Sequence, residues 1–196
     1  MTNWGERRLM ISPKAWKVIK NKQNELDQLI YQQSQVNWKW CSLTNAKRLK
    51  LNILVEIGEF ANELKTFKIW RKKQHADWEK VQIELIDCLC FFLGLSNIHQ
   101  INFTSFQYSL LDENQDFNDL LLQFFSQTEK LFILKNEKSY HQEKNIKLSS
   151  KQQQTYYNWL NIFSKLMQKL GIDEKKLLEV YLYKNEINQK RLKNLS

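Results

Sequence analysis

The chain has 196 residues, of which only four are Gly and one is Pro, where average usage places about 12% of positions in those two types. So few turn-formers exclude a sandwich or barrel of many short strands, and four isolated glycines (5, 58, 94 and 171) exclude the phosphate-cradling loops of P-loop and dinucleotide-binding folds. The formal charge of +9 arises from 25 Lys and 5 Arg in scattered pairs such as Arg7-Arg8 and Lys72-Lys73. Without a long basic run it reads mainly as solvated surface.

Helical periodicity dominates the pattern. A first helix is expected from Ala15 to about Gln33, entered at Pro13, with Leu26, Leu29 and Ile30 on one side. The segment QVNWKWCSLTN breaks the pattern, and Thr44 serves as N-cap for a second helix over about 45–67. There Leu49, Ile53, Ile57, Phe60 and Leu64 recur at spacings of three and four. After the polar linker RKKQHA, Asp77 caps a third helix over about 78–96. The stretch 97–150 is less regular, with helical pieces near 116–135, and forms the variable part of a single domain covering 1–196. Ser150 with Gln153 starts a helix to about Leu170, Gly171 ends it, and Asp173 caps a last helix to about Asn194. The expected fold is all-α, a helical bundle with antiparallel helices around a carboxylate site.

Three cysteines (Cys41, Cys88, Cys90), odd in number and without zinc-like spacing, fit a reducing cytoplasm. No signal peptide opens the chain, and the longest apolar run, LIDCLCFFLGL at 85–95, is too short to span a bilayer. A cytoplasmic protein away from membranes is the expectation.

Two acidic pairs stand out: Glu56 with Glu59 on the second helix, and Glu84 with Asp87 on the third. Residues three apart share a helical face, where like charges repel, so the pairs do nothing for helix stability. Asp87 is set among Leu85, Ile86, Cys88 and Leu89 and is expected to point into a partly dry site, where an ionised carboxylate needs a cation. Two readings stand at this point. The pairs are surface acids answered by nearby lysines such as Lys65, Lys68 and Lys80, or they form an all-oxygen site for Mg²⁺ or Mn²⁺ that bridges protein to a substrate phosphate.

An E-x-x-E helix followed by an E-x-x-D helix resembles the all-α nucleoside triphosphate pyrophosphohydrolase superfamily, which includes MazG-like enzymes and dimeric dUTPases. The run ILVEIGEFANELKTFKIW resembles the dimeric dUTPase signature, and IELIDCLCFFLGL its second acidic motif. KQNELDQLI is similar to the first-helix motif, and YLYKNEINQKRL to the late Y-x-x-K-N-x-x-N-x-x-R motif. The four lie in the family's order between about 22 and 192. The resemblance implies a homodimer that hydrolyses dUTP, and dUDP, to dUMP with Mg²⁺. It implies that Glu56, Glu59, Glu84 and Asp87 hold metal, with Glu59 (and Glu56) acting on the attacking water. It places Lys184, Asn188 and Arg191 at the phosphates, Gln23 and Asp27 near base and sugar, and Phe67, Lys68 and Trp70 beside the nucleoside. The family's last motif usually continues R-Q-x-x-G-Y, whereas here Arg191 is followed by LKNLS. The alternatives are a MazG-like or dCTP-directed pyrophosphohydrolase and, in a different class, a basic helical nucleic-acid-binding protein.

Overall fold

The computed structural model describes residues 11–37, 39–68, 76–104, 106–109, 111–112, 114–136 and 148–193. Among them lie six helices and no strand: α1 (Pro13–Gln33), α2 (Leu43–Leu64), α3 (Trp78–Ile98), α4 (Phe117–Lys130), α5 (Ser150–Lys169) and α6 (Glu174–Lys193). Trp70 and the basic pairs Arg7-Arg8 and Lys72-Lys73 lie outside the described residues.

Local chemistry sets the helix ends, with small departures from the sequence pattern. α1 starts at Pro13 because Ser12 caps it, its Oγ accepting from the Ala15 amide at 3.2 Å. Ser42, not Thr44, caps α2, and its Oγ accepts from the Asn45 amide at 3.1 Å. That choice puts the Asn45 side chain in the interior, where Nδ2 donates to the Trp40 carbonyl at 2.8 Å. α2 ends at Leu64, because Lys65 takes a left-handed conformation (φ 60°) and returns its amide to the Ala61 carbonyl. Phe67 and Lys68 therefore fall beyond the helix. Asp77 caps α3 as expected. The capping box of α5 sits one residue earlier than read, with Ser149 and Gln152 exchanging bonds. Gly171 follows that helix at φ +67°, a conformation that strains any residue with a Cβ. Asp173 accepts from the Lys176 amide at 2.7 Å, opening α6.

α3 is the central element. It carries the expected apolar run within a helix of 21 residues that is, contrary to the reading of the run alone, long and apolar enough by composition to cross a bilayer; 67% of its most apolar 18-residue window is buried inside the protein. Val81, Leu85, Leu89 and Phe92 are fully buried. The Phe92 ring stacks on Trp159 of α5 at 3.9 Å between centroids, and Trp159 stacks on Phe163 at 5.5 Å. The Trp159 indole N–H finds Thr128 of α4 at 2.9 Å, so the ring is buried with its polar atom satisfied. Truncating a ring such as Phe92 to Ala costs about 3–5 kcal/mol.

The inner face of α1 differs from the expected one. Trp16, Ile19, Leu26, Gln23 and Asp27 are buried, whereas Leu29 stands 42% exposed. Two polar residues inside an apolar stripe misdirect a reading based on hydrophobicity alone. Gln23 is met from α6, which also bonds the α1 backbone. The Tyr181 hydroxyl lies 3.0 Å from the Ile19 carbonyl and 3.1 Å from Gln23 Oε1, and Asn185 Nδ2 donates to the Lys22 carbonyl at 3.3 Å. These bonds fasten the last helix against the first and bring its following turns over α3.

Candidate active site

The packing of α2 on α3 brings the acidic pairs together. Carboxylate oxygens of Glu56, Glu84 and Asp87 lie within 4.8 Å of one another, all three side chains half-buried. Glu59, one turn on from Glu56, is exposed and stands outside this set, yet its charge acts on all three. The surface-acid reading named Lys65, Lys68 and Lys80 as partners. Lys80 instead lies 3.9 Å from Asp77, and Lys68 donates to Asn62 at 2.9 Å.

The cation that answers the cluster comes from α6. Lys184 Nζ lies 2.7 Å from Asp87 Oδ2, with side-chain exposures of 14% and 15%. A pair that close normally holds a carboxyl below its ordinary range, but burial outweighs the ammonium here and the Asp87 pKa is raised. Glu84 is raised by burial and then by Asp87 and Glu59, against Lys184. Glu56 is pushed up to about 7, first by burial and then by Asp87, Glu59 and Glu84. Three oxygen acids that resist ionisation together, with one ammonium against them, form a place short of positive charge. Hard oxygen donors so grouped fit a hard divalent cation.

Arg191, exposed and two turns beyond Lys184, adds its charge to lowering the Asp87 pKa, so both cations of the late motif act at the cluster. Asn188 between them is half-buried. Phe67 is 45% exposed, with the Lys68 ammonium 5.4 Å above its ring.

Gln23 and Asp27 lie deeper, one turn apart on α1. Gln23 Nε2 donates to Asp27 Oδ1 at 2.8 Å, while Asp27 Oδ2 is buried with no hydrogen-bond partner. Burial pushes the Asp27 pKa up to about 7, against the Gln23 bond and the Arg48 charge. The approach of α1 to α3 at this point requires glycine. A Cβ on Gly94 would stand 2.9 Å from Asp27 Oδ2 and 3.3 Å from Leu49 Cδ2.

Three supporting residues escaped sequence reasoning. Tyr181 and Asn185 lie within the quoted late motif, but nothing in their spacing says that they face α1 rather than solvent. Arg48 carries no local signal; it is oriented by Asn45, whose Oδ1 accepts from Nε at 3.0 Å.

Comparison with known proteins agrees with this architecture. A family model described as dUTPase matches residues 15–195. No curated protein is similar enough to the chain to match it. With the match running from α1 through α6, over both acidic helices and the late cationic motif, the chain belongs to the all-α dimeric dUTPase family and is a dUTP diphosphatase.

Proposed function

We propose that the chain, as one domain, performs Mg²⁺-dependent hydrolysis of dUTP to dUMP and pyrophosphate, and of dUDP to dUMP and phosphate, with Mn²⁺ as a substitute ion. The family supports dUTP as substrate, and dUTPases are generally dependent on divalent metal. The observation that carries the finer reading is the convergence of Glu56, Glu84 and Asp87 within 4.8 Å under a single ammonium. These residues, with Glu59 at their exposed edge, would hold the metal. The bound ion would neutralise phosphate charge and lower the pKa of water.

The remaining steps belong to side chains. Glu59, exposed and next to the cluster, orients the attacking water and takes its proton, with Glu56 assisting. Lys184 and Arg191 neutralise phosphate oxygens and Asn188 donates to them. Gln23 and Asp27 form the floor for base and sugar. Phe67 and Lys68 lie beside the nucleoside, and Trp70 is assigned to the same segment by the family resemblance alone. A homodimer is part of the same reading, supported by apolar side chains left outward: Leu51, Val55 and Leu122 are 60%, 50% and 71% exposed. We place the enzyme in the cytoplasm.

The test is release of dUMP and pyrophosphate from dUTP with Mg²⁺ and with EDTA, against dUDP, dCTP, dTTP and UTP, together with the mass in solution by light scattering. Turnover of dUTP and dUDP that EDTA abolishes is expected. Absence of turnover of any deoxynucleotide by pure protein would overturn the proposal, and a preference for dCTP would move it to another base.

A further inference from the structure

A cavity of about 820 Å³ opens at the far end of α3 from the carboxylates, bounded by the first turns of α1 and the segment after α3. Asp87 and Asn97, at the cavity's edge, are ten residues apart, about 15 Å along the helix axis. The cavity is therefore separate from the cluster that the proposed function uses.

Its charge is one-sided. Lys14, Lys17 and Lys20 follow one another at intervals of three along α1 and line it, and among the described residues no carboxylate does. Like charges at that spacing work against the helix, so helix stability does not account for the array. Several other lysines are answered by acids, Lys22 by Glu25 at 2.9 Å, Lys176 by Glu179 at 3.0 Å and Lys190 by Glu186 at 2.6 Å, and others by neutral oxygens, as Lys68 by Asn62 and Lys165 by Gln115. Among the described residues Lys14 and Lys17 have no carboxylate partner. Lys20 is held inward, donating to the Ile101 carbonyl and lying 4.8 Å over the Phe103 ring. Burial lowers its pKa to about 8, so its charge is poorly solvated.

The opposite wall supplies neutral donors. Asn102 Oδ1 is engaged by the Thr104 amide and hydroxyl at 2.9 and 2.8 Å, which leaves its Nδ2 to donate. Asn21, Asn24 and Gln100 also line the space. Ammonium groups with amide donors suit phosphate oxygens, and a volume of this size suits a small ligand rather than a polymer. The aromatic rings of the cavity, Trp16 and Phe103, are only 3% and 4% exposed and offer no face on which a nucleic-acid base could stack.

We propose that this cavity is a second ligand site, distinct from the catalytic one, which takes a small, multiply charged phosphate compound and recognises it through its phosphates. The test is titration calorimetry of the full chain in EDTA at low salt, with inorganic tripolyphosphate as probe and ATP as the nucleotide arm. The expected result is single-site binding of both probes, weakened at least tenfold in K14A/K17A and unchanged in E84Q and in K47A/K175A. Alanine favours helix, so K14A/K17A keeps its fold, and its dUTP turnover matches wild type. Lysine acetylation footprinting should show Lys14 and Lys17 protected by tripolyphosphate. Lack of binding, equal binding by K14A/K17A, or binding of a polyglutamate peptide alone would overturn the proposal. Because binding is read without metal or turnover, its failure is distinct from failure of the dUTPase mechanism.

Discussion

Replacing Lys184 by Met removes the ammonium facing Glu56, Glu84 and Asp87 while keeping a long apolar stem. The pair it breaks is 2.7 Å long, and both side chains are about six-sevenths buried. Breaking a fully buried pair costs about 3–5 kcal/mol and an exposed one about 0–1. A largely buried pair at the rim of a cleft falls between, at about 2–3 kcal/mol in EDTA at pH 8. For a domain of this size that is a fall in Tm of about 4–12 °C. The loss depends on pH in a defined sense. All three carboxyls have folded pKa values raised above their ordinary ones, Glu56 to about 7. A raised carboxyl costs nothing while protonated and destabilises as pH climbs through its folded pKa. The deficit of K184M should therefore be largest at pH 8 and fade towards pH 5. A divalent cation restores the missing charge, so 5 mM Mg²⁺ or Mn²⁺ should raise the Tm of K184M more than that of wild type. Differential scanning fluorimetry across pH, with and without metal, measures all of this. A K184M protein as stable as wild type in EDTA at pH 8, or one gaining no more from metal, would refute the argument that Lys184 compensates the cluster.

Further outcomes follow from the same geometry. Glu59→Gln and Asp87→Asn should each abolish dUTP turnover while circular dichroism stays helical; near-wild-type rates in either would break the metal-site assignment. With Glu56 titrating at about 7, Mg²⁺ binding should tighten from pH 6 to pH 8 and release protons, seen by calorimetry in buffers of different ionisation enthalpy; pH-independent binding would exclude Glu56 as a ligand. Gly94→Ala should destabilise by about 1–3 kcal/mol, since the new Cβ meets Asp27 and Leu49. Gly58→Ala, where a Cβ meets nothing within 4 Å, should stabilise α2 by about 0.5–1 kcal/mol. Thermal melts showing the reverse order would contradict the described packing.

The helices were legible because their signals are local. Asp77, Asp173 and the period of Leu49, Ile53 and Ile57 act within one or two turns, and the ends moved by a few residues, where two capping residues competed, as with Ser42 and Thr44, or where Lys65 turned left-handed. The acidic pairs were legible as an anomaly, because like charges at i, i+3 in apolar surroundings have no local justification. Which cation answers them was not. Lysines near in sequence suggested themselves, but the partner comes from α6, 97 positions beyond Asp87 in the chain. Gln23 and Asp27 show the same division. Taken singly they read as surface residues, and only the seating of α6 and Gly94 against α1 makes them buried.

By itself the sequence determined an all-helical chain, the family motifs and the two acid pairs, all carried by spacing within a helix or by order along the chain. Tertiary structure alone decided that three carboxylates share one small volume, that Lys184 faces them, and that Lys14, Lys17 and Lys20 line a separate, open cavity. The reason is that charge and solvation act through space. A carboxyl's pKa and a lysine's partner depend on which helices pack side by side, and the interval between residues in the chain does not carry that information.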